Sequence, residues 1–328
     1  MTKAIVGLIL ICMDTPSPDS PPLPPMPPLP SGTPDLPPAG QRFTVAGGLV
    51  TDTLTGLLWP QDAAEVPFPL AWVEALDAVA RLNAASLLGR RDWRLPNRRE
   101  LRSLVDHAAA RPSLPPGHPF HNVFAGWTWT STTSALAPAY AWRVHLAGGR
   151  LFYGRKDDPG MALPVAGESP VLPATGQRAC FGRDGAAVDC AGTGQDGALR
   201  AGAAWPEPRF ADQGPGVLDR LTGLIWSRDA DPLGRQLPFE DARRAVAGLG
   251  DGGWRLPGIN ELESLVDASA HSPALPAGHP FANAREAYWS ATPSGYEPGW
   301  AYCLYLHKGA VGVGHLLGPE FSAWPVRS

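Results

Sequence analysis

Four cysteines, eight histidines and two recurring arginine–glutamate pairs are the residues of this 328-residue chain whose types and spacing could do chemistry. Cys180 and Cys190 enclose Gly182-Arg183-Asp184-Gly185, a turn-forming run. In an oxidising compartment they should form a disulfide, and closing so short a loop stabilises by about 3 kcal/mol on the loop-entropy model. A zinc site would need two further ligands, and the stretch from Thr175 to Trp205 supplies no other cysteine or histidine. Cys303 stands alone. The histidines make no H-E-x-x-H pattern, and His118-Pro-Phe-His121 loses its second histidine to Ala282 where the motif recurs, which favours a loop role. Arg94 with Glu100, and Arg255 with Glu261, could be catalytic charge pairs, but their recurrence favours a structural clamp. No nucleophile elbow, phosphate-binding loop or dinucleotide fingerprint follows a strand. These residues demand no enzyme, no cofactor and no metal.

The elements that must position such residues are constrained by composition. Thirty-eight prolines and 37 glycines exclude a long-helix or bundle protein. A 44% hydrophobic content with 12 tryptophans excludes wholesale disorder, because that is ample to bury a core. The formal charge is −4, and the arginines and lysines form no basic block able to track a phosphate backbone, so nucleic acid is not an expected partner. Ala4 to Ile11, after Lys3, is too short to cross a bilayer of about 30 Å. With Cys12 behind it, the segment 1–14 resembles an export signal ending in a lipid-modified cysteine, the one membrane attachment expected. Residues 15–40 are proline-rich and read as an extended spacer, on the order of 70 Å long at about 3.1 Å per residue.

The rest of the chain is one unit written twice. FTVAGGLVTDTLTGLLW (43–59) returns as FADQGPGVLDRLTGLIW (210–226), WRLPNRRELRSLVD (93–106) as WRLPGINELESLVD (254–267), and LPPGHPFHN at Leu114 as LPAGHPFAN at Leu275. The offset is 167 in the first block and 160 to 161 afterwards, so the second copy has a shorter loop. Each copy predicts a strand–turn–strand around its Thr-Gly turn and a helix, over Pro69 to Asn83 or Phe239 to Leu249. A short strand at Trp93 to Leu95 follows, then a capped helix bearing Leu101, Leu104 and Val105. A hairpin closes each copy. In the second, Lys308-Gly309 is expected as a two-residue turn, with Leu306 opposite Val311 and Leu304 opposite Val313 on the core face. Cys303, Tyr305, His307, Ala310, Gly312 and Gly314 then take the outer face. In the first copy Val144, Leu146 and Leu151 point inward, and Arg143, His145, Arg150 and Phe152 outward.

TGLLW, WRLPNRRELRSLVD, the WTWTSTT segment and the cysteine-containing connector from Thr175 to Phe210 resemble the Lcl C-terminal domain family over residues 41 to 328. The resemblance implies an α+β fold of two tandem C-type-lectin-like domains, residues 41–168 and 209–328, joined by a connector, 169–208. It implies an exported bacterial protein of the cell surface or periplasm; the adhesin that names the family is associated with sulfated polysaccharide. The ligand implied here is an extracellular glycan or protein. The fold also resembles the ligand-display proteins of diversity-generating retroelements, which would make Tyr288, Tyr296, Cys303, Tyr305 and His307 the display positions. A structural envelope or spacer module without ligand is the alternative. Glu297-Pro298 resembles part of a calcium-dependent sugar site, but Gly299 replaces the needed Asn and one carboxylate is too few for calcium. Formylglycine-generating enzymes share the fold and need a cysteine pair that Cys303 cannot make.

Overall fold

Each copy begins with glycine-punctuated, alternating sequence that folds as a small antiparallel sheet. A computed structural model describes residues 39–250 and 253–328; Cys12 and the proline-rich run to Pro38 lie outside the described residues. In copy one a short α1 (Ala39–Arg42) leads into β1 (Phe43–Ala46), β2 (Leu49–Asp52) and β3 (Leu58–Pro60), ordered β1-β2-β3. The buried Arg42 guanidinium donates to both oxygens of Asp52, at 3.0 and 2.7 Å, and to the carbonyl of Ser103 at 2.7 Å. That clamp ties the small sheet to the helix behind it.

The longer helix, α2 (Trp72–Ala84), buries Trp72, Ala75, Ala78 and Val79, the i, i+3, i+7 stripe of an amphipathic helix. The short α3 (Arg98–Ser103) starts at Asn97, whose side chain accepts from the Arg99 and Glu100 amides, while Glu100 accepts from the Asn97 amide in return. The strand expected at Trp93 to Leu95 is reduced to a bridge between Arg94 and Val165. Pro96 follows at once and has no N–H with which to continue a ladder.

The strands β4 (Trp127–Thr133), β5 (Tyr140–His145) and β6 (Arg150–Arg155) complete copy one. The connector then forms a two-stranded ribbon, β7 (Cys180–Phe181) with β8 (Ala187–Val188), and a one-turn α4 (Asp196–Leu199). Cys180 and Cys190 are disulfide-bonded across the ribbon. Copy two repeats the plan: β9 (Phe210–Gln213), β10 (Gly216–Asp219), β11 (Leu224–Ser227), α5 (Phe239–Ala247), α6 (Ile259–Ser264), β12 (Tyr288–Pro293), β13 (Trp300–Tyr305), β14 (Ala310–His315) and β15 (Val326–Arg327). The result is α+β with most of its order in antiparallel sheets. Among the described residues no helix is long and apolar enough to cross a membrane.

The hairpins differ in register from the expectation. His145 pairs with Arg150 and Tyr305 with Ala310, so the loops are Leu146–Gly149 and Leu306–Gly309, four residues rather than two. Val311 therefore faces Leu304, not Leu306, a shift of two that preserves the face of every side chain. The longer loop lets Leu146 and Leu306 turn into the core, and its last residue, Gly149 or Gly309, takes a positive φ of 65° or 78°.

The copies are not separate beads. β14 pairs with β6 at Val311 and Leu151, giving one six-stranded sheet ordered β12-β13-β14-β6-β5-β4. Val311 lies 160 residues after Leu151, the offset that relates Trp289 to Trp129, so equivalent residues meet in an antiparallel pair and a local two-fold relates the copies. One hydrophobic core runs through both, from Trp59 and Trp142 to Tyr302 and Trp324. A second cluster lies beneath α2, around Trp72, Trp93 and Trp129.

Both outer edges of this sheet are closed. On β4 the Gln177 side chain of the connector accepts from the Thr133 amide at 2.8 Å and donates to the Thr133 carbonyl at 2.7 Å. The equivalent position on β12 is Pro293, which has no N–H to satisfy.

Candidate functional site

Direct cross-strand pairing defines the sheet face away from the shared core. Trp127 faces His145, which faces Arg150; Trp129 faces Arg143, which faces Phe152. In copy two Trp289 faces Cys303, which faces Gly312, and Tyr305 faces Ala310. The Val311–Leu151 pairing joins these rows on one side of the sheet. Arg143 lies across the indoles of Trp127 and Trp129, its guanidinium carbon 4.8 and 5.6 Å from the ring centroids. It can lie flat because a Cβ at Gly154 would fall 2.4 Å from that carbon. Trp127 and His145 meet edge to face at 4.8 Å.

Copy two completes this cluster. Tyr296, in the loop between β12 and β13, reaches over Gly148, and its ring lies 6.4 Å from His145. The Arg111 guanidinium sits 5.2 Å above that ring and donates to its hydroxyl at 3.3 Å. The neighbouring Glu297 accepts from Arg150 across the join. Burial, and then the nearby Arg150 and Arg143, lower the pKa of His145 below its usual range, favouring the neutral imidazole. Among the described residues, the acidic partners of Arg111, Arg143 and Arg150 are Glu297, paired with Arg150, and Asp158, 3.8 Å from Arg143. The patch is half-exposed, aromatic and biased towards positive charge. Beside it, the Lys308 ammonium lies 4.5 Å from the Phe152 centroid and 5.1 Å from that of Tyr305.

The residues expected as display positions divide. Tyr296, Tyr305 and His307 are half-buried at the surface. Tyr288 is not on the outer face: it pairs with Leu304, is fully buried and packs 5.2 Å from Trp324. Cys303 does lie on the outer row, yet it too is fully buried. The reason is local: the C-terminal segment returns over this end of the sheet, where Phe321 packs on both Trp289 and Tyr305. The outer face of copy two is therefore largely a second packing layer, and the open part of the face belongs to copy one. Tyr288 and Cys303 present no surface to a ligand.

The recurring charge pairs are clamps. Arg94 grips Glu100 at 2.6 and 2.7 Å, and Arg255 grips Glu261 with two contacts of 2.7 Å. Each glutamate also accepts the backbone N–H at the start of its helix, from Asn97 or Gly258. Sequence reasoning passed over a second such pair, Arg42 with Asp52, repeated as Arg209 with Asp219 at 2.9 and 2.7 Å. The signal was present: the two pairs share a spacing of ten residues and the 167-residue offset. Arg143, His145, Arg150 and Phe152 were placed outward by alternation. Trp127, Arg111 and the join to Tyr296 were not, because they depend on how the two copies meet.

The fold defines a tandem, two-copy α+β scaffold. A family model described as the Lcl C-terminal domain matches residues 48–166 and 216–327, and the chain belongs to that family. No curated protein and no solved structure matches it.

Proposed function

We propose that this is an exported, non-enzymatic ligand-binding protein of the bacterial surface or periplasm, adhesin-like, with C-type-lectin-like domains that recognise an extracellular glycan or protein. The observation that carries the reading is the composite cluster of Trp127, Arg143 and His145 from copy one with Tyr296 from copy two. Flat aromatic faces beside cationic donors give broad contact area with directional hydrogen bonding, suited to sugar rings and to protein surfaces alike. The Cys180–Cys190 disulfide suits an oxidising compartment and supports export. Burial of Tyr288 and Cys303 moves the proposed contact surface from the second hairpin alone to the joined hairpins.

An array of glycans and surface proteins tests the reading. Binding by the intact chain that is lost in Trp127→Ala and Arg143→Ala, with unfolding temperatures kept, supports it. Absence of any ligand across the array would favour a spacer module instead.

A further inference from the structure

Arg102 and Glu263 are the same position of the repeat, 161 residues apart like Trp93 and Trp254, but one is cationic and the other anionic. They meet across the local two-fold: Arg102 donates to Glu263 Oε2 from Nε at 2.9 Å and from Nη2 at 2.7 Å, with 3% and 11% of the side chains exposed. The surrounding contacts are unequal in the same sense. Arg98 of copy one lies 3.6 Å from Glu263 and stacks at 4.4 Å on Trp142, while donating to the carbonyl of Gly309 in the copy-two hairpin. Its equivalent in copy two is the buried Ile259. Arg99 donates to the Val266 carbonyl at 2.7 Å, and Tyr302 of copy two donates to the Gly148 carbonyl of copy one, also at 2.7 Å. Copy one thus supplies the cations and copy two the carboxylate, backbone acceptors and hydroxyl.

The same geometry applied to two like copies would bury Arg102 against Arg102, with Arg98 close by, or Glu263 against Glu263. A buried like-charged pair has no compensation for lost solvation and is strongly repulsive, whereas the unlike pair retains its attraction. We infer that the α3–hairpin face of copy one is a docking surface selective for a domain of its own shape that carries an acid at the Glu263 position. Arg102 and Glu263 direct unlike copies together and reject like pairs. Repulsion between identical copies is the element that gives such a surface its selectivity.

Charge reversal in the full chain tests this. Arg102→Glu and Glu263→Arg should each lower Tm by on the order of 10 °C, through a broken buried pair. The double variant Arg102→Glu/Glu263→Arg should lose less than the sum of the two single losses. A double variant losing the sum or more overturns the inference. If either reversal fails to fold, Arg102→Gln, Glu263→Gln and their combination make the same comparison without placing like charges together; additive losses in that cycle overturn it equally.

Discussion

Leu151 and Val311 occupy one position of a duplicated domain and pair with each other, strand to strand, at the centre of a six-stranded sheet. Both are fully buried in a core that draws on the two copies together. A duplicated chain could have left two beads on a string; here the join is part of one buried core.

Residues 41–168 and 209–328 should therefore unfold in a single transition. Leu151→Ala removes apolar volume at the join and should cost about 2 to 5 kcal/mol. Denaturant titration followed by tryptophan fluorescence would give one midpoint for the parent and one, lower, for the variant. Two resolved transitions in the parent would show that the copies fold independently.

The two arginine–glutamate clamps should differ sharply despite identical sequence spacing. Glu100 is fully buried and Arg94 is 12% exposed, whereas Glu261 is 24% and Arg255 37% exposed. Breaking a buried pair leaves an uncompensated charge and costs about 3 to 5 kcal/mol, while a solvent-screened pair contributes about 1 kcal/mol or less. Glu100→Gln should accordingly destabilise several-fold more than Glu261→Gln in urea titrations. Equal losses would mean that the helix-start hydrogen bond, common to both glutamates, dominates.

That contrast shows where legibility ended. Periodicity and caps located α2, α3, α5 and α6, because those signals are local: Asn97 and Glu100 write a helix start within four residues. Alternation placed Arg143, His145 and Phe152 outward, because a strand has a period of two whatever it pairs with. The hairpin register was missed by two, since the burial of Leu306 inside the loop depends on a core built from both copies. The burial of Cys303 has a similar reason: Phe321, from beyond the hairpin, packs on its neighbours Trp289 and Tyr305. The meeting of Tyr296 with His145 is a relation between copies, and a repeat read one unit at a time carries no trace of it.

Cys303 should be inert in the native protein. Burial holds its thiol above the ordinary cysteine range, with weaker opposition from hydrogen bonds involving Tyr305 and the Gly312 backbone. A thiol reagent added to the disulfide-intact protein should leave it unmodified until denaturant is present. Tyr305→Ala, which uncovers the row, should speed the reaction at least tenfold. Fast modification mapped by peptide mass to Cys303, as distinct from Cys12, would place Cys303 at the surface, as the display reading requires.

Asp196 should make stability fall as pH rises. This connector carboxyl is fully buried under β4, where it accepts from the hydroxyls of Thr132 and Thr175 at 2.7 Å each. Burial raises its pKa to about 6, against the opposing pull of those two hydrogen bonds. The folded state thus holds a proton that the unfolded chain releases near pH 4. Its contribution is complete below that pH and is lost as pH rises through about 6. The buried His107 works the other way: burial and then Arg102 lower its pKa, so its neutral form favours folding above pH 6.5 and costs stability as pH falls. The two overlap, so the parent curve alone does not separate them. The difference between the parent and Asp196→Asn does: plotted from pH 4 to 8, the stability advantage of the parent should shrink steadily between about pH 4 and about pH 6 and be flat above that. A difference that stays flat across that range would mean Asp196 titrates alike in both states, and the connector would then be no part of the pH response.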